Sequence, residues 1–102
     1  MAREVHKFIP DDETKTEQGK WIGEFDWDGT LRQILVVPET PNTMYDFGIK
    51  DEGGMVIFSE LDHRGFLATG NLNLIVFPGE KTIVIENATK DEQFKVKLVY
   101  QL

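Results

Sequence analysis

The side chains able to do chemistry are few and scattered. Asp26 and Asp28 stand two apart, and Asp51 and Glu52 sit beside Gly53-Gly54. Either pair offers oxygen ligands to a hard cation. Calcium, however, takes about six to eight oxygens, usually from a dedicated loop, and neither run has the EF-hand spacing. Turn-forming and hairpin roles account for both pairs. His6 and His63 are the two histidines; they lie far apart, and a zinc site would need carboxylates to complete it. Solvated surface histidines are the plainer reading. Ser59 is the one serine and lacks a Gly-x-Ser-x-Gly setting. A glycosidase pair of carboxylates is a matter of three-dimensional separation, but a body of roughly 80 residues leaves little room for a sugar cleft. Gly53-Gly54 reads as a turn, not a phosphate loop. The chain has no cysteine, which removes disulfides, thiolate zinc sites and cysteine nucleophiles. The expectation is a protein that is not an enzyme, with no catalytic residue, no metal and no cofactor.

Aromatic side chains are the remaining candidates. Trp21, Phe25 and Trp27 fall on alternate positions, with Gly23 completing the row. On one strand face they would form either a stacking platform for sugars or bases, or part of a core or an oligomer interface. Core packing is the commoner fate of such a stripe.

Charge narrows the choice of partner. The net charge is −7, and residues 21–60 hold two basic against eight acidic side chains, whereas residues 61–102 hold five of each. An acidic middle repels phosphate backbones, so direct nucleic-acid binding is disfavoured. The acidity either serves solubility or meets a basic partner surface. Residues 1–10 have no apolar run suited to a signal peptide, and nothing later approaches the ~20 apolar residues of a membrane span. A soluble protein made in the cytoplasm is expected.

The elements that would position these groups are strands. Trp21 to Trp27 alternates, and Asp28-Gly29 follows, a strong hairpin signal leading to a return strand over Leu31 to Val37. That strand is apolar on both faces and is expected to lie centrally or to be covered on both faces. Tyr45, Phe47 and Ile49 alternate with Asp46, Gly48 and Lys50. A turn at 51–54 leads to a short strand over Met55 to Phe58. Ser59 to Thr69 has no clear period and reads as an irregular crossover. Leu72, Leu74 and Val76 then alternate, Pro78-Gly79 marks a turn, and Ile83 and Ile85 face one way. Phe94, Val96, Leu98 and Tyr100 make the cleanest amphipathic strand.

Seven or so short strands argue an all-β fold, a single antiparallel β-sandwich or small barrel. Residues 20–102 form its body. Residues 1–19 read either as an extended N-terminal arm or as an edge strand plus a long hairpin loop. An arm would grip a partner through Val5, Phe8 and Ile9; the loop holding His63, Arg64 and Phe66 is the other candidate contact.

From Asp28 onward the order of motifs resembles a family of small virion proteins of tailed bacteriophages. The matching pieces are Asp28-Gly29-Thr30-Leu31 leading to Val36-Val37-Pro38, then Pro41-Asn42-Thr43-Met44-Tyr45-Asp46-Phe47. Ile49-Lys50-Asp51-Glu52-Gly53-Gly54 follows, and later Thr82-Ile83-Val84-Ile85-Glu86-Asn87-Ala88 and Val96-Lys97-Leu98-Val99-Tyr100. Ser59 to Gly70 departs from the pattern. The resemblance implies a β-rich virion structural protein, most simply a capsid decoration or cement protein on the head exterior that binds major capsid protein subunits, commonly as a trimer. The rival expectations are a sugar- or receptor-binding module of the tail, and a neck or tail connector.

Overall fold

The computed structural model describes residues 4–15, 19–26, 29–70, 72, 74–76, 79–90 and 92–101. They form nine strands: β1 (Glu4–Lys15), β2 (Trp21–Asp26), β3 (Gly29–Pro38), β4 (Met44–Lys50), β5 (Val56–Arg64), β6 (Leu67–Thr69), β7 (Leu74–Val76), β8 (Glu80–Glu86) and β9 (Gln93–Gln101). Two antiparallel sheets pack face to face as a sandwich. One runs β1-β9-β3-β6, with β7 also on the free side of β3; the other runs β2-β8-β4-β5.

The core is the sum of the two inward rows that alternation marks out. Leu31, Ile34, Val36, Leu67, Phe94, Val96, Leu98 and Tyr100 come from the first sheet, and Tyr45, Phe47, Ile49, Ile83 and Ile85 from the second. Burying such rows against each other is the main stabilising term of a sandwich. β3 is central, as its sequence suggests, but it is not covered on both sides. Its outward Val37 is exposed.

Three expectations are corrected. The hairpin at Asp28-Gly29 does not form, because β2 joins β8 in one sheet and β3 joins β9 in the other. Gly29 does take positive φ at the start of β3; Asp28 lies outside the described residues. The turn expected at Pro78-Gly79 is described only at Gly79, which takes positive φ; Pro78 lies outside the described residues. The short strand at 55–58 extends to Arg64, so most of the supposed irregular crossover is β5. Its alternation is hidden by two bulges, where the register against β4 shifts between Tyr45 and Phe47 and again between Ile49 and Lys50. Each extra residue flips the inward and outward sets.

Of the two readings of the amino-terminal segment, the edge strand is the one observed. β1 pairs with β9 from Glu4↔Gln101 to Ile9↔Val96, then resumes at Thr14↔Phe94 after an irregular stretch. Pro10 lies in that stretch and has no N–H to give the ladder. Val5 is half-buried against the core, so its apolar surface is spent on packing, not on a free arm. Phe8 and Ile9 are placed by backbone pairing with Lys97 and Val96; a gripping role for their side chains lies outside what is described.

Candidate functional site

Two surfaces stand out, and both are built from β4 and β5. The first is the turn that carries the chain from β5 into β6. Gly65 takes a left-handed φ of 81°, which a glycine adopts without a Cβ clash. Its N–H donates to the Thr43 carbonyl at 2.9 Å, and its own carbonyl accepts from the Tyr45 hydroxyl at 2.7 Å. Arg64 donates from Nη1 to the Asn42 carbonyl at 3.2 Å. His63 Nε2 donates to the Phe66 carbonyl at 2.9 Å, while the His63 ring meets Tyr45 edge-on at 5.8 Å. The structure therefore brings His63, Arg64 and Phe66 together in one turn held at several points. Phe66 is left 65% exposed.

The second surface is a trough on the outer face of the β2-β8-β4-β5 sheet. Gly48 forms its floor, flanked in register by Val84 of β8 and Ser59 of β5. Val56 and Leu61 of β5 wall it, 55% and 66% exposed. Asp46 and Glu86, directly opposite each other on adjacent strands, close one end, and Lys50 stands at the other. The open space is about 230 Å³.

Asp46 shapes this trough. It sits opposite the β5 bulge, where Asp62 has a left-handed φ of 53°. Asp46 Oδ1 accepts from the Asp62 backbone N–H at 2.8 Å, and Oδ2 accepts from Asn87 Nδ2 at 2.6 Å. The Asp62 N–H first, and the Asn87 amide second, hold the carboxyl below its ordinary range. A charged Asp46 thus stabilises the bulge, and that contribution is lost as pH falls through its lowered pKa. Asp46→Ala is expected to cost about 1 kcal/mol, read as a lower denaturation midpoint at neutral pH, with the gap from wild type closing in acid.

At the far end of the same face Glu80 meets Glu24, and the hydrogen bond between the two carboxyls, together with the Glu24 charge, raises the Glu80 pKa; Glu52 and Asp26 add like charge. For an acid whose folded pKa is raised, the stabilisation is complete below the unfolded value and is lost as pH rises through the folded one. Glu80→Gln is therefore expected to raise Tm at neutral pH, with the advantage vanishing near pH ~4. A thermal melt series against pH checks it. Among the described residues no group of three or more His, Asp or Glu side chains could hold a metal ion. Asp51 is engaged as a turn-former, with Oδ1 accepting from the Gly53 and Met55 N–H groups at 3.0 and 2.8 Å.

The aromatic stripe is only partly described. Trp21 is half-buried against the core and its indole lies over Gly23, where a Cβ would meet the far end of the ring. Part of its surface therefore serves packing. The side-chain role expected of Phe25, and Trp27 altogether, lie outside the described residues. Sequence reasoning passed over Gly48 and Asp46. The available signal was a glycine on the outward row of an otherwise regular strand, which marks a bulge or a close approach.

No protein-family model matches this sequence, and no curated protein matches it. Among solved structures it is similar to a carbohydrate-binding module in complex with calcium and xylotriose, at 12% identity and a TM-score of 0.47, covering 98% of this chain and 99% of that one.

Proposed function

We propose that this chain is a non-enzymatic structural protein of a tailed-phage virion, a capsid decoration protein that binds major capsid protein subunits on the head exterior and braces the shell. The observation that carries the docking half of this reading is Phe66, exposed on a turn pinned through Gly65, Arg64 and His63. An aromatic presented on an already ordered loop loses little conformational entropy on binding, and such residues dominate interface energetics. The virion half rests on the motif order from Asp28 to Tyr100. Repetition over a capsid lattice would multiply modest contacts into avidity, and a trimer at lattice positions is the assembly this reading favours.

The test is co-sedimentation of purified protein with expanded heads that lack it, alongside its mass in solution. Saturation at a fixed ratio to capsid subunits, with heads that better survive heat or low salt, is the expected result. A defined ring without head binding would indicate a connector. Retention on a glycan surface without head binding would indicate a receptor-binding module. Either outcome replaces the decoration reading.

A further inference from the structure

We propose that the trough over Gly48 is a docking site for an extended, cationic polypeptide segment, a partner strand or tail that lays lysine or arginine side chains into it. Four features of the trough lead there.

Gly48 is not required by its own backbone or by packing. Its φ is not left-handed, and a Cβ there would meet only the Phe58 carbonyl oxygen, at 3.7 Å. An alanine would fit, so what the glycine supplies is space. The walls are apolar and exposed at Val56 and Leu61, and the trough runs along β4 from Asp46 to Lys50. Four residue steps of a strand span about 13 Å, which suits a few residues of extended chain.

The chemistry at the closed end selects the ligand. Asp46 and Glu86 stand directly opposite across the ladder, so two acidic side chains border the same end of the trough. Asp46 is fixed in place by Asp62 and Asn87, so a cationic head would find a preset acceptor. Lysine and arginine lay an aliphatic stem along apolar surface while the head reaches polar groups, and the trough offers those surfaces in that order. The surrounding face extends the acidic field with Glu24 and Asp26 on β2 and Glu80 on β8, and Lys50 is the basic side chain that lines the trough, at its other end. A nucleic-acid backbone would be repelled here.

The route is side-chain docking, not strand addition. β5 is the sheet edge, and its two bulges break the regular row of N–H and C=O groups that an added strand needs.

The proposal does not depend on the virion reading, and its test needs no phage heads. Oligolysine is titrated at low salt into the whole isotope-labelled protein while amide shifts are followed, with oligoglutamate as the control. Saturable shifts confined to 46–50, 59–61 and 84–86 are expected with oligolysine alone. Gly48→Leu, which fills the trough and keeps every charge, is expected to weaken the affinity by roughly tenfold or more. Glu86→Gln is expected to weaken it as well, and both variants should melt close to the wild type. Binding that Gly48→Leu leaves intact, or shifts spread evenly over Glu24, Asp26 and Glu80, would reduce the effect to diffuse attraction and overturn the proposal. So would an absence of saturable binding.

Discussion

Tyr45→Ala is expected to destabilise the fold by about 3–5 kcal/mol, a drop in Tm of more than about 10 °C for a chain of this size. Tyr45 is fully buried on the inner face of β4. Its ring packs edge-on against Phe94 of the opposite sheet at 5.0 Å and 71°, so it is one of the side chains that join the two layers. Truncation leaves a cavity that the closed strands around it fill poorly, and against a total stability of roughly 5–15 kcal/mol the loss is large. Tyr45→Phe separates packing from hydrogen bonding. It keeps the ring and deletes the donor to the Gly65 carbonyl, at a cost of about 1 kcal/mol. The phenol adds a signature of its own. Burial first, and the Glu60 charge second, push its pKa up, so the contribution of the protonated group is complete below the ordinary tyrosine pKa of ~10 and is lost as pH rises through the folded value. Urea midpoints measured against pH should show the wild type losing stability faster than Tyr45→Phe on the alkaline side.

The same residue shows why some of the fold was legible in advance. Tyr45, Phe47 and Ile49 alternate cleanly with Asp46, Gly48 and Lys50, and so do Phe94 to Tyr100 with Lys95, Lys97 and Val99. Each set keeps the period of two because its strand is flanked by neighbours on both sides and buries one face. β5 lacks that regularity for an opposite reason. As an edge strand with two bulges it changes which residues face inward along its length, and Glu60, Asp62 and His63 blur what alternation remains.

The topology was harder to read than the elements. Asp28-Gly29 encodes the positive φ of Gly29, yet the same dipeptide suits a hairpin or a crossover. The choice falls to partners far along the chain, with Trp21↔Ile85 on one side and Val36↔Val96 on the other. Local turn chemistry carries no information about those pairings.

The surfaces divide in the same way. The types of His63, Arg64 and Phe66 are visible in the sequence, but their convergence comes from Gly65 and from a tyrosine hydroxyl twenty positions upstream. The trough depends on Asp46, Ser59, Val84 and Glu86, which the pairings of β4 with β5 and with β8 assemble; a single outward glycine is its trace in the sequence.

Phe66→Ala is expected to lower the affinity for expanded heads by at least about thirtyfold, the ~2 kcal/mol of an interface hot spot, with Tm unchanged. The two halves of that expectation come from one fact. With 65% of its surface exposed, the Phe66 side chain contributes little to the fold, so its truncation removes contact area without opening the core. The turn survives the substitution because the bonds that hold it end on backbone atoms: His63 donates to the Phe66 carbonyl, Tyr45 to the Gly65 carbonyl and Arg64 to the Asn42 carbonyl. Gly65→Ala acts differently. It forces a left-handed backbone on an L side chain, which strains the turn by about 1–3 kcal/mol and loosens the presentation of an intact phenylalanine. Its effect on head binding should be smaller than that of Phe66→Ala and should come with a measurable loss of stability. Co-sedimentation and melting of the two variants side by side resolve the matter. If Phe66→Ala binds heads as tightly as the wild type, this turn is not the contact and the decoration reading loses the observation that carries it. If binding falls in step with stability in both variants, the turn matters to the fold alone.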